Sequence, residues 1–493
     1  MLSGIKRIKN YRKNRRIIKG GICCRDGIEE EQGDIWRYGM KRSMDLDMTE
    51  GRPIKLILLF SLPILFGNIF QQFYNVMDTA IVGNVLGDDA LAAVGATSPF
   101  FGLVTGLAYG ATNGFSMILA RYYGAKDEEG FKKALFMTYA LSVFISVVLT
   151  VLALLGIEPL LRLLGTPDSI MEDAVSYLRI AFAGLIVTVS YNMFAGIMRA
   201  VGNSVMPLVF LVIASVVNVV LDIWFVAGMH LGVGGAALAT VLAQLVSVAA
   251  SLWYVMTKCP DLRLHKQHMV FEKKIVMDLL ATAFSMAMMF AVVSIGTVAL
   301  QSAVNSFDKE VIAAHTAARK MDELFMIVFS TFSVTASTYA SQNYGAGKID
   351  RIKEGILDTF LLGFIWATVG VLTAFFAGPF LAHAITGSEN PVVIDTAVKY
   401  IRINFPFFYF LVPLLVLRST LQGLDRRVVP VIGSVIELVG KFLVAAYLAP
   451  KLGYLGVCIS EPVIWIVCMC LVMWDFYTHI LKNNTGFVDK MEA

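Results

Sequence analysis

The chain is 493 residues long, 57% hydrophobic and only 16% charged, against roughly 45–50% and about 25% in ordinary soluble domains. With 33 Phe, 23 Met and a mean hydropathy of +0.70, that much apolar surface cannot be hidden inside a water-soluble globule, and a soluble enzyme is excluded. The net charge of +4 is small and unevenly placed, which suits membrane topology signals better than nucleic-acid binding.

The first 52 residues carry 13 Lys/Arg and 8 Asp/Glu and lack the apolar core of a signal peptide. They read as a basic cytoplasmic tail, either a membrane-surface arm or a dispensable extension, with Met40, Met44 and Met48 as alternative starts. Apolar stretches long enough to cross a bilayer (about 20 residues) follow near 54–83, 91–118, 133–156, 172–198, 205–229 and 232–257. A second set lies near 275–304, 311–342, 355–384, 392–421, 428–449 and 453–481. Strand alternation is absent, and lipid admits only spans whose backbone hydrogen bonds close internally. The expected fold is an all-α polytopic membrane protein of twelve transmembrane helices in two parallel six-helix lobes around a central cavity. Its domains are a tail at 1–52, a lobe at 53–257, a cytoplasmic linker at 258–274, a lobe at 275–482 and a cytoplasmic tail at 483–493.

Loops after even-numbered spans hold 15 Lys/Arg and loops after odd-numbered spans hold 3 (Arg162, Lys309 and Lys451). The excess of positive charge on cytoplasmic loops then puts both termini in the cytoplasm of a multi-pass cell-membrane protein. The six cysteines (Cys23, Cys24, Cys259, Cys458, Cys468 and Cys470) show no CxxC spacing and read as incidental.

The two halves are copies. Asn84 matches Asn305, Tyr123-Gly124-Ala125 matches Tyr344-Gly345-Ala346, Gly202 matches Gly423 and Gly235 matches Gly456, all at an offset of 221. Six spans per copy is an even number, so the copies share one orientation, a layout used by secondary transporters.

Polar residues inside the spans carry the functional signal. Asp78 tops a stripe of Asn68, Gln71 and Asn75 at helical spacing, which makes the three amides candidates for lining the cavity. An intramembrane carboxylate is by default a functional candidate, although polar glue between helices is the plain alternative. Asn218 and Asp222 share a face of span 5, and Tyr177 and Thr240 fall at a similar depth, roughly 7–12 Å below the outer surface. These groups from four helices make a cation-binding site for a proton or a sodium ion. At the repeat offset Asp78 corresponds to Ala299 and Asp222 to Leu443, so the coupling chemistry is confined to the first lobe. Pro63 marks a bend point in span 1.

The second lobe has its own buried charges: His315, Arg319, Lys320, Asp322, Glu323, Arg402, Arg418, Glu437, Lys441 and Glu461. They read as a structural ion network, with a second coupling site at Glu461 or Asp322 as the alternative. No GxxxxGK[ST], HExxH, serine elbow or TVGYG filter is present, which removes an ATPase, a membrane enzyme and a potassium channel and leaves gradient-driven transport.

The stretch Gln71-Gln72-Phe73-Tyr74-Asn75-Val76-Met77-Asp78-Thr79-Ala80-Ile81-Val82-Gly83 resembles span 1 of the multidrug and toxic compound extrusion (MATE) family. Arg199-Ala200-Val201-Gly202-Asn203 with Pro207, Leu231-Gly232-Val233-Gly234-Gly235-Ala236-Ala237, Gln342-Asn343-Tyr344-Gly345-Ala346-Gly347 and Leu421-Gln422-Gly423 fit as well. The resemblance covers about residues 50–480. It implies a monomeric two-lobed antiporter that exports organic cations or other amphiphiles in exchange for protons or sodium, without a cofactor. On the DinF-like branch it maps a cation site onto Asp78, Tyr177, Asn218, Asp222 and Thr240, with a bending proline at Pro63. The acidic residues of the NorM-like branch fall near Phe290-Ala291 and Leu411 here, so a sodium site of that type in the second lobe is not expected. A flippase or exporter for lipid-linked or polar metabolites is the competing reading.

Overall fold

A computed structural model describes residues 46–482, and the tails at 1–45 and 483–493, with Cys23 and Cys24, lie outside the described residues. The described residues contain helices and no strand. Counting one bent pair as a single span, twelve helices are long and apolar enough to cross a membrane. They are α1 Pro53–Leu86, α2 Asp88–Gly124, α3 Glu128–Leu163, α4 Asp168–Ala183 with Leu185–Ala200, α5 Val205–Gly228 and α6 Gly232–Lys258. The second half supplies α7 Lys273–Val304, α8 Lys309–Gly345, α9 Ile349–Thr386, α10 Pro391–Gly423, α11 Val428–Leu452 and α12 Tyr454–Leu481. Large apolar side chains stand outward along these helices, such as Leu155, Phe284, Phe376 and Phe380, as lipid-facing surfaces require.

Several spans depart from a plain rod, each for a local reason. α4 bends by 48° between its two halves. The bend falls at Gly184, where a Cβ would run into the side chain of Val241. Pro406 turns the middle of α10 into a short 3₁₀ segment, Phe405–Phe407. α1 runs as one helix through Pro63. α5 passes into a π-helical turn over Ile223–Gly228, and α11 does the same over Val444–Leu448. The two π turns begin 221 residues apart, so the duplicated scaffold keeps the irregularity in both copies. The expected linker at 258–274 is tied down at Leu262 and His268, both buried in short 3₁₀ turns.

The two halves are knitted at one end of the bundle, where the Lys/Arg-rich loops after the even-numbered helices lie. α2 and α8 cross there with no side chain between them. A Cβ on Gly124 would strike the carbonyl of Gln342, and one on Gly345 would strike the carbonyl of Arg121. These positions exchange at the 221 offset, so a pseudo-two-fold axis passes through the crossing. Side chains reach across from both exchanged positions, 121 and 342. Arg121 donates to the Gly423 carbonyl at 3.3 Å and Gln342 donates to the Ala200 carbonyl at 2.8 Å. Higher up, α7 lies on α2 almost backbone to backbone, because Gly110 and Gly114 would place a Cβ 2.7–2.8 Å from Ala287 and Ala283. Likewise α1 packs on α8 and α9 of the other half.

A short segment with a turn at Met48 and Thr49 fastens the same end. The packed body begins at Leu46 rather than at residue 53. Leu46 donates its N–H to the Gly202 carbonyl at 3.1 Å, and Met48, fully buried, donates its N–H to Gln342 Oε1 at 3.1 Å. Asn343 and Arg351 donate to the Met48 carbonyl, and Lys348 donates to that of Thr49 at 2.8 Å. Residues 46–51 thus touch the α4–α5 turn of one half and α8–α9 of the other.

Gly124→Ala and Gly345→Ala are each expected to destabilise the protein by about 1–3 kcal/mol, the usual penalty for forcing atoms into a filled contact. Thermal unfolding in detergent should show a lower midpoint for both. Gly102→Ala, where nothing lies within 4 Å of an added Cβ, should melt like the parent.

Candidate functional site

Two cavities are candidates for function, one inside the first half and one walled mainly by the second half with α1 and α2 of the first. In the first half, α1, α4, α5 and α6 enclose a small cavity of about 20 Å³, lined by Gln71, Tyr74, Tyr191, Asn218, Thr240 and Gln244 among others. That is room for about one water or one small cation. Asn218 Nδ2 donates to Thr240 Oγ1 at 3.4 Å, and Thr188 Oγ1 donates to Gln244 Oε1 at 2.7 Å. Asp222 sits one helical turn beyond Asn218, at the junction where α5 turns from α to π geometry.

The electrostatics here are unusual. Asp222 is completely buried and neither of its carboxylate oxygens has a partner. One oxygen of Asp78 and the amide oxygen of Asn218 are also buried without a partner. Asp78 and Asp222 lie within electrostatic reach of each other, and Tyr74 and Tyr177 are within reach of both. Buried acceptors left unmade cost about 1–3 kcal/mol each, and more when charged. Four buried acceptors here are left without a donor. Toward the far end of the bundle an apolar cluster of Val82, Val226, Val233 and Ala236 closes over this group, with Tyr177 packed against it.

Of the sequence-selected residues, the fold brings Asp78, Tyr177, Asn218, Asp222 and Thr240 together. Asp78 is eight residues before the end of α1 at Leu86, about 12 Å along the helix. Sequence reading missed Tyr74, Tyr191 and Gln244. Tyr74 continues the stripe at i+3 from Gln71 and Gln244 stands at i+4 from Thr240, so spacing alone could have found both; Tyr191 carries no such signal.

The second cavity is much larger, about 620 Å³, and belongs mainly to the second half. Asn68, Gln71 and Asn75 of α1 form part of its wall. The polar stripe therefore divides, with its three amides on this cavity and Asp78 in the first-half cluster. Gln71 lines both cavities. Met117, Met286, Met289, Met326, Phe290 and Trp465 supply adaptable apolar surface. Phe290 and Leu411 also face it, so the positions where the NorM-like branch carries acids are apolar wall here.

The charges of the second half form ion pairs. Arg319 donates to both oxygens of Glu461 at 3.0 Å and lies 3.3 Å from Asp322, while Tyr400 donates its hydroxyl to Glu461 at 3.2 Å. Arg418 pairs with Glu437 at 3.4 Å, and Lys441 pairs with Glu437 at 3.0 Å. His315 packs against Tyr400 and Tyr454 instead of facing the cavity. Arg402 donates to the carbonyls of Ala374 and Phe375, where α9 turns π-helical. Only Arg418 of those two arginines lines the cavity.

A bundle of membrane-crossing helices in two duplicated halves, holding a solute-sized cavity and a buried acidic cluster, defines a polytopic membrane transporter of small molecules. The chain belongs to the MatE family, whose profile matches it twice, over residues 63–224 and 285–447. It is a transporter rather than an enzyme. The double match restates the internal repeat. Among relatives, it is 30% identical to the "Probable multidrug resistance protein YpnP" of Bacillus subtilis over 73% of this chain and 81% of that protein. It is 25% identical to the "Probable multidrug resistance protein YoeA" of the same organism, over 86% of this chain and 94% of the relative. A crystal structure of a MATE protein in a bent conformation superposes with a TM-score of 0.83 at 23% identity, covering 90% of this chain and 98% of the other.

Replacing a buried carboxyl whose two oxygens have no partner should relieve strain in the resting protein. Asp222→Asn is expected to melt at a higher temperature than the parent at neutral pH, by an amount on the order of 1 kcal/mol. A lower melting temperature would mean that the carboxylate is satisfied after all.

Proposed function

We propose that the chain is a secondary antiporter that exports amphiphilic drugs, organic cations among them, in exchange for protons or sodium by alternating access. The observation that carries the coupling half is the acidic cluster: Asp222 with two partnerless oxygens, Asp78 with one, and a cavity beside them of about 20 Å³. A bound proton or sodium ion removes the repulsion between the carboxylates, and Asn218, Thr240 and Tyr177 supply further oxygens to hold it. Net inward movement of one charge, as when one ion exchanges for a neutral solute or two ions for a monovalent cation, releases about 2.3 kcal/mol per 100 mV, enough to drive an uphill exchange of more than tenfold.

The substrate half rests on the larger cavity and on relatives named for multidrug resistance. Lobes joined at the basic end, with the cavity above the join, suit the state open to the outside when that end faces the cytoplasm. Pro63 is the bend point that this reading assigns to α1. Three basic side chains on the cavity wall, Arg319, Arg418 and Lys441, favour a second reading, export of an anionic or polar metabolite by the same exchange.

In proteoliposomes loaded with ethidium, an imposed pH or sodium gradient is expected to drive dye movement through the parent protein. Asp78→Asn should lose that dependence and retain, at most, slow downhill leak. If neither gradient moves ethidium, drug export fails and the polar-metabolite reading takes its place.

A further inference from the structure

The segment at 46–51 is held unequally by the two halves. Toward the first half, the Leu46 N–H donates to the Gly202 carbonyl at 3.1 Å. Gly202 sits at φ +88°, so close to Leu46 that a Cβ there would strike its carbonyl. Toward the second half the contacts are more numerous. The Met48 carbonyl accepts from Asn343 at 3.0 Å and Arg351 at 3.2 Å, that of Thr49 from Lys348 at 2.8 Å, and that of Gly51 from Arg351 at 2.9 Å. Met48 and Thr49 are buried, and Met48 packs with Ile57, Phe60 and Tyr339.

Gln342 links these contacts to the join between the halves. Its Oε1 accepts the Met48 N–H at 3.1 Å, while its Nε2 donates to the Ala200 carbonyl of the first half at 2.8 Å. One fully buried amide is thus held from both sides. Without Met48, Oε1 is a buried acceptor with no donor, and nothing holds the amide in the orientation that reaches Ala200.

The duplicated scaffold does not itself require this arrangement. At the offset of 221 the equivalent stretch of the second copy is 267–272, where Met269, Val270 and Phe271 stand exposed. Position 342 is matched by Arg121, which reaches the Gly423 carbonyl, lies 3.7 Å from Asp425 and stacks over the Tyr344 ring. The crossing is therefore closed by a fixed cation on one side. On the other it is closed by a neutral amide that a peptide segment holds in place.

We propose that residues 46–51 are a bolt on the basic end of the bundle: seated, they hold Gln342 against Ala200 and keep that end shut, and they part from Gly202 each time it opens. The proposal rests on the alternating-access reading and adds the element that sets how readily the closed end opens. Charged donors on α8 and α9 hold the segment more firmly than the single bond to Gly202, so the bolt leaves with the second half.

Hydrogen–deuterium exchange of the full-length protein in detergent, read by mass spectrometry, tests this. Arg351→Gln removes the guanidinium that holds both Met48 and Gly51, and Lys348→Met removes the bond to Thr49. In Arg351→Gln the uptake rate is expected to rise at least about tenfold over 46–52. It should rise as well over 421–427, across the pseudo-two-fold axis, where Arg121 meets Gly423. Lys348→Met should move both stretches in the same direction by less, and it carries the comparison if Arg351→Gln does not fold. Faster uptake confined to 46–52, or unchanged uptake in both stretches, overturns the proposal. Ethidium transport separates the two levels. If exchange spreads to 421–427 but no gradient drives dye through the parent, the bolt stands and the exporter reading falls. Gradient-driven transport with exchange confined to 46–52 does the reverse.

Discussion

Everything in this molecule hangs on the crossing of α2 and α8 at Gly124 and Gly345. Two helices that meet carbonyl to Cα, with no room for a methyl group, fix the distance between the halves at one end of the bundle. Apolar burial cannot supply that kind of join inside a membrane, because lipid tails are as apolar as leucine, so close backbone approach and hydrogen bonds to main-chain carbonyls do it instead. Arg121, Gln342 and the 46–51 segment add those hydrogen bonds across the same crossing. The larger cavity begins above this closed end, at Met117 of α2 and Ser337 of α8.

The duplicated scaffold has been filled with different chemistry on its two sides. Both copies turn π-helical at the same position in their fifth helix. In the first copy Asp222 stands just before that turn; in the second the corresponding residue is Leu443. The first half therefore holds acids without partners, while the second holds acids and bases that answer one another. An unpartnered carboxylate invites an exchangeable cation. The division of labour proposed for coupling and substrate follows from that difference in electrostatics, on one backbone plan.

α1 is the element that connects the two sides. Its Gln71 lines both cavities, Asp78 stands in the acidic cluster, and Asn68 donates to Thr331 of α8 at 3.1 Å. A change at the acidic cluster that tilts this helix would move part of the substrate wall directly. In the proposed cycle, that shared helix is the physical link between ion and solute.

How much of this was legible beforehand differs by residue. Span count, the repeat and the five members of the acidic cluster were readable, because hydropathy, a fixed offset and a carboxylate in an apolar run are local signals, and in lipid the backbone has almost no alternative to a helix. The bend at Gly184 was not, since it depends on Val241, 57 positions later in the chain. Nor was the role of Met48, which reads as a spare start codon and sits fully buried between the halves. Arg402 and Arg418 look alike in sequence, yet one holds carbonyls of a π turn and the other faces the cavity. The sequence by itself determined that the chain crosses the membrane as two copied six-helix halves and that Asp78 and Asp222 have no counterpart in the second copy. Only the tertiary structure decided which charges meet, which stay open and which line the cavity. Pairing depends on the rotation and spacing of helices far apart in sequence, and no local pattern encodes either.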